Sequence, residues 1–304
     1  MIQRALLIAV FTMAGGIINK CNQYKGIKMN KKLLLTGICA LFSLNVMADS
    51  QKALTIKAIN IKNKEILSKA GLSIPEYNQI NIVPANKYLG NIKMGVTQNA
   101  NDEHMAKKMR EYLSMNNEQQ KNGYVKDTEP RAKELMELKR IAPYQKKRYK
   151  GVLSPTSTHL RASNNELKLA YTFVGVPTEE MNANIGVVPY GAYKSVKNGD
   201  NADGWDGAVQ FFEKKGVGSC AYTEHNRKIA GTGVELIKEL VTYDVNNKPT
   251  IVLVKGNKNT GFVYKLKWYD NIFSREIECA NPEFNQQLRT EVIDLANRID
   301  SYQQ

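Results

Sequence analysis

Residues 234–280 constrain the fold most, because turn-forming residues divide them into apolar runs at hairpin spacing. Residues 234–245 end in Asn246-Asn247-Lys248-Pro249, residues 250–255 end in Gly256-Asn257-Lys258-Asn259-Thr260, and residues 261–269 end in Asp270-Asn271. In the third run Phe262, Tyr264, Leu266 and Trp268 alternate with Val263, Lys265, Lys267 and Tyr269. A period of two sets bulky side chains on one face and mostly amphipathic ones on the other. The pattern predicts an antiparallel meander with one covered face. Ile251, Val252, Leu253 and Val254 are apolar at every position, which places that strand in the middle of the sheet.

A helix is predicted to follow. Asn281 offers an N-cap, Pro282 fits the first helical position, and Phe284, Leu288, Val292, Leu295 and Ile299 recur at spacings of three and four. Upstream, residues 205–214 read as a short helix carrying Trp205, Val209 and Phe212, ended by Gly216, with a strand over 217–223. Residues 166–176 alternate as a strand up to Pro177, and residues 185–188 form a shorter one. The reading for 154–304 is α+β: an antiparallel β meander packed against helices, in two sheets. Residues 49–153 form a largely helical N-terminal region, with helices over 63–70, 102–115 and 127–150, and Pro143 kinks or ends the last of these. The Ser-, Thr- and Asn-rich run from Ser154 to Asn165 marks the boundary between the two regions.

The N-terminus reads as a leader over residues 1–48. Met29-Asn30-Lys31-Lys32 is a positive n-region, residues 33–44 are an apolar run of signal-peptide length, and Val46-Met47-Ala48 is a small-residue cleavage signal, so a mature chain would begin at Asp49. A second apolar run at residues 5–18 precedes this complete signal, which is the reason to place the true start at Met29. The apolar run is shorter than the roughly 20 residues a membrane span needs, so no integral membrane association is expected of the mature form. The leader carries six of the 43 basic residues and no acid, which leaves 37 basic against 29 acidic side chains, a net charge of +8 rather than +14. Of the four cysteines, Cys21 and Cys39 fall in the leader. Cys220 and Cys279 remain as one pair in an exported chain, and a disulfide between them is the expectation.

Two segments carry candidate binding chemistry. Lys139, Arg140, Lys146, Lys147, Arg148 and Lys150 follow one another without an acid, interleaved with Tyr144 and Tyr149. On a continuous helix Lys139, Lys146, Lys147 and Lys150 would share a stripe, suited to an anionic surface or equally to a solvated helix end. Asp200, Asp203 and Asp206 sit in a Gly- and Asn-rich loop that matches a calcium loop poorly in either register. For catalysis, Cys220 with Glu224, His225 and Asn226 is the sharpest arrangement, but five residues along a strand put Cys220 and His225 on opposite faces. H-E-x-x-H, CxxC, G-x-S-x-G, Walker A and G-x-G-x-x-G patterns do not occur, so no catalytic residue, metal ligand or cofactor is assigned.

The block Gly204-Trp205-Asp206-Gly207-Ala208-Val209-Gln210-Phe211-Phe212-Glu213, the run Gly218-Ser219-Cys220-Ala221-Tyr222 and residues 262–279, behind a signal peptide, resemble type II secretion substrates of Legionella-type bacteria. The resemblance implies export to the periplasm, disulfide closure there and release by the secretion machinery. It also implies helices around two sheets packed at a steep angle. The expectation is a secreted binding or effector-type protein acting on a host or envelope macromolecule, with a secreted hydrolase of non-motif active site as the competing reading.

Overall fold

The computed structural model describes residues 79–85, 100–149, 154, 156–194 and 203–303. These all lie within residues 74–304, the unit considered from here on. In chain order its strands are β1 (Ile80–Val83), β2 (Val125–Lys126), β3 (Ala183–Lys194), β4 (Gly204–Lys214), β5 (Gly218–Asn226), β6 (Val234–Ile237), β7 (Tyr243–Val245), β8 (Lys248–Asn257), β9 (Gly261–Tyr269) and β10 (Phe273–Asn281). Its helices are α1 (Ala100–Asn122), α2 (Arg131–Tyr149), α3 (Arg227–Ala230) and α4 (Gln286–Tyr302). The α+β class follows directly. There are two sheets, one of eight strands in the order β2-β8-β9-β10-β5-β4-β3, with β7 also on β8, and one parallel pair of β1 and β6.

The meander predicted from turn spacing is present as β7-β8-β9-β10. Its tightest turn is Asn246-Asn247, both at positive φ, with Val245 paired to Lys248. Two adjacent left-handed residues make the two-residue hairpin turn that asparagine tolerates best after glycine. The first predicted strand is interrupted. Residues 234–237 leave the main sheet to pair with β1, a 3-10 turn over Lys238–Leu240 intervenes, and only Tyr243–Val245 joins β8.

Both faces of the large sheet are covered, which corrects the expectation of one. On one face α4 buries Leu288, Val292, Leu295, Ala296 and Ile299 against Tyr264, Leu266, Trp268, Ile277 and Tyr222. On the other, Ala132, Leu135 and Met136 of α2 pack on Ala221, Val263, Ala280, Val209 and Phe211. Lys265 does not snorkel to water beneath α2. It bonds Glu276 at 2.8 Å and Glu278 at 3.1 Å, and Arg131 at the start of α2 reaches Glu278 through Nε at 3.0 Å. Burial alone would raise the Glu278 carboxyl, but Lys265 and Arg131 together hold it below the usual carboxylate range.

The second cover explains the largest misreading. Residues 205–214 are strand β4, not a helix. Between β3 and β5 the strand is apolar on both faces, so Val209 and Phe211 face α2 while Ala208 and Phe212 face α4. Apolar residues at consecutive positions can mimic a spacing of three and four. Residues 166–176 form no ladder strand either. They begin with a 3-10 turn at Asn164–Glu166 and keep only a parallel bridge from Leu169 to Trp205. The alternation was nonetheless real, because Leu167, Leu169, Tyr171 and Phe173 all pack on the α4-side core.

Three smaller corrections follow from pairing. The sheet's middle strand is β10, not β8. The outer edge of β8 is closed in sequence by β7, by the side chain of Gln119, and by β2. Asn281 ends β10 opposite Phe262, so the cap of α4 falls to Asn285, whose side chain accepts the Gln287 N–H at 2.8 Å. Pro143 lies inside α2 and the helix runs through it to Tyr149. The helix expected at 63–70 lies outside the described residues.

Candidate functional site

Cys220 and Cys279 face each other in register on β5 and β10, and their sulfurs are bonded at 2.08 Å with the Cα atoms 4.1 Å apart. A thiol nucleophile at Cys220 is thereby removed. The other members of that arrangement are engaged elsewhere. Glu224 is buried on the α4 face and accepts from Arg275 Nε at 3.0 Å and from the Tyr222 hydroxyl at 3.1 Å. Asn226 caps α3 by accepting the Ile229 N–H. His225 Nε2 lies 3.3 Å from Asp206, whose carboxylate also accepts the Ala192 N–H at 2.8 Å.

Around Glu224 the α4 face holds a closed network that sequence patterning did not reveal. Asp300, fully buried on the last turn of α4, accepts from Trp268 Nε1 at 2.9 Å and Asn246 Nδ2 at 3.0 Å, and is ion-paired with Lys248. Arg275 lies 3.8 Å from Asp300 and also pairs with Asp270. Burial works against the Arg275 charge, but Tyr222, Asp270 and Glu224 raise its pKa above the ordinary arginine value. Each of these carboxylates is held by at least one donor, so the network fastens α4 to β8, β9 and β10 rather than presenting reactive groups. The signal that could have found it is Asp300, an acid directly beside Ile299 of the apolar stripe.

The calcium reading loses its ligands among the described residues. Asp203 is ion-paired with Lys168, and Asp206 is occupied as above; Asp200 lies outside the described residues. No group of three metal-ligating side chains occurs among the described residues. A shallow cleft of about 450 Å³ lies between Pro177, Glu179, Glu180, Asn297, Arg298, Ser301 and Tyr302. Its buried carboxylate, Glu180, is spanned by Lys214 at 2.7 Å and Arg298 at 2.6 Å.

The basic segment divides along α2. Leu135, Leu138 and Ala142 are buried toward the sheet. Lys146 turns to that side and donates to the Ile185 carbonyl at 2.9 Å, so it leaves the predicted stripe. The outward stripe is instead Arg140, Tyr144 and Lys147, one turn apart in succession, with Lys139 and Arg148 exposed on its flanks. Lys150 lies outside the described residues. Arg140 meets Glu137 at 3.4 Å, an exposed pair worth little. Tyr144 is 75% exposed, the most exposed large hydrophobic side chain among the described residues. Beyond the helix end, burial and then the charges of Arg161 and Arg148 lower the His159 pKa.

No helix among the described residues is long and apolar enough to cross a membrane. Compared with known protein families, with curated proteins and with solved structures, the chain matches none.

Proposed function

We propose that the protein is exported and binds an anionic macromolecule of a cell envelope or host surface through the outward stripe of α2. The observation that carries this reading is Tyr144, largely exposed between Arg140 and Lys147 on a helix whose apolar face is already buried. A helix with its core-facing side satisfied has no folding reason to expose a tyrosine amid cations. An amphipathic ring beside basic side chains suits the headgroup region of an anionic surface. The disulfide is compatible with the oxidising compartment that the leader and the resemblance to type II secretion substrates imply.

Vesicle co-sedimentation tests it. The chain is expected to bind vesicles containing phosphatidylglycerol and not those of phosphatidylcholine alone, with binding weakened by salt. At roughly 1 kcal/mol per cation near an anionic surface, replacing Lys139, Arg140, Lys147 and Arg148 by Gln should weaken binding on the order of several hundredfold. Tyr144→Ser should weaken it further without changing the salt dependence. Equal binding by the native and neutralised chains would refute the proposal.

A further inference from the structure

Strand β4 extends past the end of β5. Its ladder with β5 stops at Gly207 opposite His225, so Gly204, Trp205 and Asp206 overhang. Residues 168–170 take the place of β5 there, since the backbone N–H of Trp205 donates to the Lys168 carbonyl and that of Ala170 to the Trp205 carbonyl, each at 2.9 Å. Gly204 permits this approach, because a Cβ there would come within 2.5 Å of the Leu169 carbonyl carbon. On the other side of β4, strand β3 regains its register through a bulge between Tyr190 and Tyr193, pinned by the bond from the Ala192 N–H to Asp206. A bulge re-aims the side chains that follow it, and this one sets Tyr193 directly opposite Trp205. Their rings share a face and meet edge-on, with centroids 5.7 Å apart and planes at 83°.

The same corner of the sheet carries a polar pair. Lys168 and Asp203 are ion-paired with side chains 44% and 39% exposed, and the Tyr193 hydroxyl stands beside both. An exposed ion pair of this kind contributes little to folding. The corner therefore presents an ammonium donor, a carboxylate acceptor and a phenol next to two partly exposed rings. Because the two charges cancel, a charged ligand would have to break the pair. Neighbouring hydroxyls would not, since one can donate to the carboxylate while the next accepts from the ammonium. A pyranose ring offers such hydroxyls at its rim and an apolar C–H face for an aromatic ring.

We propose that Trp205, Tyr193, Lys168 and Asp203 form a binding site for a neutral saccharide. An aromatic ring takes the C–H face of the sugar, Asp203 accepts from one ring hydroxyl and Lys168 donates to its neighbour. The site lies at the opposite end of β3 from Ile185, where Lys146 of α2 docks, and does not depend on the outward stripe of that helix.

Titration of the full chain with cellotriose, maltotriose and chitotriose, followed by NMR of the indole N–H signals, tests the site. The chain has two tryptophans, and Trp268, buried with its Nε1 on Asp300, serves as the internal reference. A saturable shift of the Trp205 signal, assigned by its loss in Trp205→Phe, is expected with at least one of these sugars, with the Trp268 signal unmoved and the affinity insensitive to salt. Asp203→Ala should weaken binding roughly tenfold or more. The chain with Lys139, Arg140, Lys147 and Arg148 replaced by Gln should bind the sugar as the native chain does, so failure at α2 and failure at this corner are separate results. The absence of a saturable Trp205 shift with all three sugars, or unchanged affinity in Asp203→Ala, overturns the site. The first of these readouts needs no variant and stands if a substituted chain fails to fold.

Discussion

Gln119 shows how much one side chain can decide. It is buried at the end of α1, donates to the Val252 carbonyl at 2.9 Å and accepts the Val254 N–H, taking the place of a neighbouring strand along β8. Without it two backbone groups between β7 and β2 lose their partners, and an unpartnered buried group costs about 1–3 kcal/mol. Gln119→Leu is therefore expected to lower the free energy of unfolding by an amount in that range or above it, read as a lower urea midpoint with little change in slope. Gln119→Glu should also destabilise, because a carboxylate can accept from Val254 but cannot donate to Val252. Equal midpoints for all three chains would mean that the edge is satisfied in some other way. No pattern flags this residue, since a glutamine in a polar helix has no sequence mark distinguishing it from its solvated neighbours. Lys265 and Lys267 make the same point. They share a strand, a face and an expectation of snorkelling, yet Lys265 forms ion pairs with two carboxylates while the Lys267 ammonium lies over the Tyr269 ring, opposite Glu276.

At the scale of elements, what could be read from the sequence was whatever depends on local order. Residues 261–269 were bounded correctly because their turns and alternation are contained within the segment. The helix through residues 286–302 was found by its stripe but begun too early, because the pairing of Asn281 with Phe262 on the preceding strand, which no local cue reveals, keeps β10 extended. Strand β4 was lost because its period is visible only once both covers of the sheet are known. Pro143 was expected to kink or end the helix within the basic segment, but α2 carries the segment on to Tyr149, and which of its residues face outward depended on how α2 docks. The disulfide belongs to this scale too. It joins β5 to β10 across 59 residues, so in the chain-entropy view it stabilises by about 4 kcal/mol through restriction of the unfolded chain. Reduction, or the paired change Cys220→Ala with Cys279→Ala, should lower the free energy of unfolding by about that amount, read from denaturant midpoints with and without reductant. Overlapping curves would show that the bridge contributes nothing beyond the strand pairing it spans.

The molecule as a whole holds its buried carboxylates in two opposed settings, and this fixes how stability varies with pH. Burial would raise Glu278, Asp270 and Glu180, but Lys265 with Arg131, Arg275, and Arg298 with Lys214 respectively hold all three below their usual values. A carboxyl whose folded pKa is depressed stabilises above its unfolded pKa, and that contribution is lost as pH falls through the folded value, here below about pH 4. Glu224 has the opposite sign. Burial outweighs the pull of Arg275, its folded pKa is raised, and protonation on acidification relieves a cost of folding before the other three begin to titrate. On the alkaline side burial keeps Tyr222 and Tyr171 protonated well beyond the ordinary phenol value, whereas in the unfolded chain they ionise near about pH 10, so stability falls above that point. The thermal midpoint should thus be nearly flat between about pH 5 and 9, with a late acid limb and a separate alkaline limb. Glu278→Gln removes the most enclosed of the depressed carboxylates, so it should lower the plateau while making the acid limb shallower, and leave the alkaline limb where it was. An acid limb of unchanged steepness in that variant would assign acid unfolding to general repulsion among the excess of basic residues rather than to the ion pairs beneath α2.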